Sequence, residues 1–200
     1  CAGYSNPGNH ELNMVFSFHH LKVDYEDGEK WTSTPFDLAA LKLVLNEWAV
    51  GMQEGDGWNA LFWNNHDQPR AINRFGDPGR YCVESATMLA TVIHLLRGTP
   101  FVYMGEEIGM TDPDYETISD YVDVEAHNAF ASLMETGRSE REAFAIVHGK
   151  ARDNARTPMQ WDSGRTAGFT NGTPWLRSTN QARINVADEE AEGRILPYYR

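Results

Sequence analysis

"ALFWNNHDQPRAINRFGD", residues 60–77, is the stretch on which the fold turns. It opens on an apolar run, Ala60–Trp63, that reads as a buried strand. Within the next seven positions come Asn64, Asn65, His66, Asp67, Pro69 and Arg70. So many polar groups at the mouth of a buried strand need an architecture that uses strand ends, and the flanking sequence supplies one.

Upstream, Leu12–His20 reads as a short buried strand ending in two histidines. Pro35–Met52 reads as a helix: Pro35 and Asp37 stand at its start, and Leu38, Leu41, Leu45 and Trp48 recur at helical spacing before Gly51, Gly55 and Gly57. Downstream, Cys82–Gly98 reads as a buried helix with Arg97 near its end and Gly98 as the stop, and Thr99–Gly105 as a third strand. Strand, helix, strand, helix, strand predicts an α/β fold with parallel strands over 12–19, 60–64 and 100–104. In a barrel of this kind the strand C-termini carry the chemistry. All three strands here run into polar sequence: "HHLKVD", "NNHDQPR" and "GEEIGMTD". Helices are expected near 122–135 and 140–150, followed by a long loop over 151–175 that holds two Trp and three Arg. A loop of that length in a compact domain is usually functional.

Composition narrows the function classes. With 41% apolar and 12% aromatic residues the chain can fill a core. The formal charge of −12 argues against nucleic acid and anionic membranes as partners. No apolar run is long enough to span a membrane. The opening "CAGYSNPGNHELNM" does not read as a signal peptide, and both ends read as cut. Two cysteines, Cys1 and Cys82, fit a reducing compartment, so a cytoplasmic location is expected.

Taken singly, the polar residues after Trp63 have bland readings. Asn64 and Asn65 can satisfy turn backbone, His66 can be structural, and Asp67 can cap a turn. Together, a His-Asp pair at a strand end with an arginine three residues on brings donors and a carboxylate to one cavity. Glycosidic cleavage passes through an oxocarbenium-like transition state that a carboxylate stabilises and hydroxyl-binding donors strengthen. Asp67 and His66 are the right types for those two tasks. Metal binding is not expected: the pairs His19-His20, His66-Asp67 and Glu106-Glu107 are adjacent, and neighbours on a strand point to opposite faces. No HExxH, CxxC, calcium loop, GxSxG or GxGxxG pattern occurs, so no cofactor, serine nucleophile or dinucleotide fold is indicated.

"WNNHDQPR", "RGTPFVYMGEEIGMTD" and "ARDNARTPMQWD" resemble the later motifs of the α-amylase superfamily, in its oligo-1,6-glucosidase branch, and the resemblance runs from about Glu11 to Arg200. It implies a partial (β/α)8 TIM barrel, with the three strands as strands six to eight and residues 1–200 as the C-terminal portion of the catalytic domain. It implies retaining hydrolysis by three carboxylates. Asp67 would be the transition-state stabiliser and His66 its sugar-binding neighbour. Arg152, with Arg156 as second choice, would help form the glucose pocket, and Arg70 would also bind substrate. The family's nucleophilic Asp and general-acid Glu would lie upstream of Cys1, so these residues alone are expected to be inactive.

Within the branch, "FSFHHLKVDYEDGEKW" is most similar to the trehalose-6-phosphate hydrolases. That implies a sugar phosphate substrate, with Lys22, Lys30 and His19 as the phosphate contacts through charge-assisted hydrogen bonds. The plain alternative is that both lysines offset Asp24, Glu26, Asp27 and Glu29 on a solvated loop. The rival enzyme reading is an oligo-1,6-glucosidase. A noncatalytic amylase-like partner of a membrane transporter is the more distant one, disfavoured because Asp67 is retained.

Overall fold

In the computed structural model, which describes residues 1–200, three short strands form one parallel sheet: β1 (Val15–Phe16), β2 (Asn59–Phe62) and β3 (Thr99–Phe101), in that order. The register pairs Phe16 with Ala60, Leu61 with Pro100 and Phe62 with Phe101. The predicted parallel neighbours are therefore present. The strands are shorter than expected, most of all β1. Leu12, Phe16 and Phe18 are exposed, and His19–Lys22 winds into a 3-10 helix rather than extending the strand. Within this sheet β1 pairs with β2, and Pro100 in β3 has no N–H to give. Edge-on aromatic packing compensates: the Phe16 ring lies 5.4 Å from Phe62 and 4.8 Å from Phe101.

The helices are α1 (Ala2–Ser5), α2 (Leu38–Glu54), α3 (Ala71–Phe75), α4 (Cys82–Leu95), α5 (Val124–Glu135), α6 (Glu140–Lys150), α7 (Asp153–Arg156), α8 (Val186–Glu192) and α9 (Ile195–Tyr199). Asp37 caps α2 by accepting the N–H groups of Ala39 and Ala40. The buried stripe of α2 begins at Leu41; Leu38 is exposed. Helix α4 buries Ala86, Leu89, Ala90 and Ile93 and ends before Gly98. Gly98 has φ 158°, and a Cβ there would meet the Asn59 carbonyl at 2.7 Å, so only glycine lets the chain turn into β3.

The chain divides into two units: Cys1–Trp63 with Ala90–Phe101, and Asn64–Leu89 with Val102–Arg200. The first contains the sheet and α2. In the second, α5 and α6 pack together, and they bury Ala126, Ala129, Ala143, Ile146 and Val147. Ser139 and Glu142 form a reciprocal capping box at the start of α6. The segment 151–175, expected as one long loop, instead begins with the four-residue helix α7.

Candidate active site

Asn65 shapes the turn that leaves β2. Its Oδ1 accepts the Asp67 N–H at 2.8 Å, closing a side-chain turn of the kind asparagine favours. Asp67 is left with its side chain 44% exposed, and His66 Nε2 lies 3.3 Å from Asp67 Oδ2. The bland reading of Asn65 as a turn former is thus correct, and the turn delivers the carboxylate.

Helix α7 meets that turn. Arg156 donates from Nε to the His66 carbonyl at 2.7 Å and from Nη2 to Asp67 Oδ1 at 2.9 Å. One planar guanidinium therefore fixes both the backbone and the carboxylate of adjacent residues, which a point-charge lysine could not do. Arg152 Nη1 approaches Asp67 Oδ1 at 3.7 Å. Its other nitrogens grip Asp123 at 2.6 and 2.8 Å, and Nε also lies 2.7 Å from Glu125 Oε2. Both arginines of "ARDNAR" reach the Asp67 carboxylate, the closer contact belonging to Arg156.

Asp123 and Glu125 were missed from sequence, where 122–135 read only as a helix. Asp123 does cap α5, accepting the Glu125 N–H at 3.1 Å. A cap aspartate retains acceptor capacity, and here Arg152 takes it. The Arg152 guanidinium holds the Asp123 carboxyl below its ordinary range, and Asp123 in turn raises the Arg152 pKa. Buried Asp153 locks the junction by accepting the N–H groups of Val122 and Asp123 at 3.0 and 2.9 Å. Asp67, Asp123, Asp153 and Glu125 against Arg152 and Arg156 leave the cluster anionic by two formal charges. That balance favours a positive charge developing beside Asp67.

Arg70 corrects the sequence reading. It is 0% exposed and faces protein rather than a ligand. Its guanidinium donates to the carbonyls of Met104 at 2.6 Å and Asn154 at 3.3 Å and to Thr157 Oγ1 at 3.4 Å. Its own N–H is received by buried Asp112 at 2.8 Å. Arg70 thereby ties the turn carrying Asp67 to the segment after β3 and to α7, which carries Arg156. Burial lowers the Arg70 pKa and pushes Asp112 up to about 7.

Lys22, Lys30 and His19 belong to the first unit. Lys22 is exposed at the end of the 3-10 helix. Lys30 lies over the Trp31 ring at 4.4 Å, and exposed His19 bonds Ser17 Oγ at 3.1 Å with its ring 5.1 Å from that of Trp48. His20, its neighbour, is buried and donates to the Phe62 carbonyl at 2.9 Å, which makes it structural. No helix is long and apolar enough to cross a membrane.

The family model "Alpha amylase, catalytic domain" matches residues 1–199. The chain is 56% identical over 187 residues to a trehalose-6-phosphate hydrolase of Bacillus subtilis (strain 168), covering 93% of this chain and 33% of that protein. It is 48% identical over 200 residues to an oligo-1,6-glucosidase of Parageobacillus thermoglucosidasius, covering 98% and 35%. The crystal structure of Bacillus licheniformis trehalose-6-phosphate hydrolase superposes with TM-score 0.96 at 51% identity, covering all of this chain and 36% of that one. The chain spans about a third of the length of the curated relatives it matches. With a parallel strand that delivers His66 and Asp67 to two arginines, and a match from residue 1 to residue 199, the chain belongs to the α-amylase catalytic domain family.

Proposed function

We propose that these residues form the C-terminal portion of a (β/α)8 glycosidase barrel, its strands six to eight, in a retaining α-glucosidase that hydrolyses trehalose 6-phosphate to glucose and glucose 6-phosphate. The observation that carries the reading is the Asp67 carboxylate, held at 2.9 Å by Arg156, flanked by His66 at 3.3 Å and still half-exposed. In this reading Asp67 stabilises the oxocarbenium-like transition state. His66 and Arg152 donate to the hydroxyls of the glucose being transferred, and Arg156 sets the carboxylate. The nucleophile and general acid come from the rest of the enzyme, so the 200 residues alone hydrolyse nothing.

The substrate follows from the relatives of that name and from two lysines, Lys22 and Lys30, and the His19 imidazole in the first unit. A doubly charged sugar phosphate does not cross a bilayer unaided, which agrees with a cytoplasmic location. The second reading, an oligo-1,6-glucosidase, is favoured by the relatives at 48% identity and by the exposure of Lys22. The full-length protein tests both. Trehalose 6-phosphate should be preferred over an unphosphorylated α-1,6-glucoside, and Lys22→Ala should lower kcat/KM for the phosphate alone. An exposed charge pair is worth up to about 1 kcal/mol, so that loss is about fivefold, rising toward about 100-fold if substrate buries the contact. No phosphate preference in the wild type hands the chain to the oligo-1,6-glucosidases.

A further inference from the structure

Glu106 is a carboxylate-bearing residue that the chemistry above does not use. It follows Gly105 at the start of a 3-10 turn, is 9% exposed, and receives the Asn64 N–H at 3.1 Å across 42 positions. Gly105 has φ 95°, and a Cβ there would press on Arg70 Nη1 and the Met110 side chain, so this approach depends on glycine. Asn64 is also buried, and its side-chain Oδ1 has no hydrogen-bond partner in the protein. A buried acceptor left unpaired costs about 1–3 kcal/mol, so it calls for a donor.

A carboxylate cannot supply that donor, whereas a carboxylic acid can. The charged groups around Glu106 are Arg70, which attracts the ionised form, Glu107, which opposes it, and Tyr199 on α9, whose own ionisation Glu106 and Glu107 oppose. The Arg70 guanidinium directs its bonds to Met104, Asn154 and Thr157. Burial outweighs the attraction and pushes Glu106 up to about 8.

We infer that Glu106 is a positioning residue whose neutral carboxylic acid clamps Asn64, accepting its N–H and donating to its side-chain carbonyl, and so sets the turn that presents Asp67. The clamp rests on the proposed glycosidase function only for its effect on rate. As pH rises and Glu106 ionises, the donor is lost, and a buried negative charge replaces the neutral acid. The turn then relaxes. Asp112, which receives the Arg70 N–H and is pushed up to about 7, titrates in the same region, so the Glu106 variant has to separate the two.

Glu106→Gln keeps one acceptor and one donor and removes the titration. In the full-length protein with asparagine-selective 15N labelling, the Asn64 amide resonance should move with a midpoint near pH 8 in the wild type and stay fixed in E106Q. Above that midpoint wild-type kcat should fall about tenfold per pH unit, while E106Q holds within about threefold of its neutral value. A wild-type Asn64 amide that does not move between about pH 6 and about pH 10, or an alkaline limb unchanged in E106Q, overturns the clamp. If the wild type cleaves no α-glucoside, the glycosidase reading fails, and the Asn64 titration still decides the role of Glu106.

Discussion

Both units of the chain have apolar cores, but they differ in how much charge they bury. In the first, the sheet and α2 bury aliphatic and aromatic side chains, and Asp24 is its one buried carboxylate. In the second, Arg70, Glu106, Asp112, Asp123, Lys150 and Asp153 are all buried, and the bonds made by most of them define the site. Apolar packing is non-directional and tolerates volume-conserving exchange, whereas a buried charge is stable only with specific partners. The first unit is thus robust to substitution in the way scaffolds are. The second is committed to one geometry, which is what a carboxylate aimed at a transition state requires.

The contrast can be broken most severely at Arg70. Arg70→Met should destabilise the second unit by about 3–5 kcal/mol, because the carbonyls of Met104 and Asn154 and the Thr157 hydroxyl lose a buried donor, and buried Asp112, which keeps the backbone N–H of residue 70, loses the neighbouring positive charge. Leu41→Ala in the first unit is a cavity substitution of about 2–5 kcal/mol, softened by how far the site collapses. Hydrogen exchange reads the two separately: Arg70→Met should deprotect α7 and leave α2 protected, and Leu41→Ala should do the reverse. Uniform loss of protection from either variant would mean that the two units share one cooperative structure.

A smaller effect sharpens the comparison within the site. Arg156→Lys keeps the charge but loses the fork that grips the His66 carbonyl and Asp67 together. In the full-length protein kcat/KM for an α-glucoside should fall about 10- to 100-fold, with thermal stability nearly unchanged. Wild-type activity in that variant would show that charge alone, and not its geometry, matters beside Asp67.

The same contrast explains what was legible in the sequence. The apolar pattern located β2, as a continuous run, and α2, because a helix that buries one face repeats its apolar residues at a fixed interval. It overextended β1, since Leu12, Phe16 and Phe18 are apolar but exposed, and apolarity was read as burial. His66 and Asp67 stood out because several polar types crowd a strand end. Arg70, three residues on, was read as facing ligand, yet its partners lie 34 to 87 positions away and no local pattern reveals them. Asp123 was hidden by its ordinary role as a helix cap. Arg152 and Arg156 were placed in a loop, and the single helical turn of α7, which no apolar pattern marks, is what brings both to Asp67, at 3.7 and 2.9 Å.

The role of Asp67 is tested most directly by Asp67→Asn in the full-length protein, with kcat and KM measured separately on the preferred α-glucoside. The amide keeps the shape and hydrogen-bonding reach of the side chain and removes its charge, which acts mainly when positive charge develops on the sugar. The expected result is a fall of about 100- to 1000-fold in kcat with KM changed by less than about threefold. A loss confined to KM, with kcat intact, would make Asp67 a substrate-binding group and contradict the account.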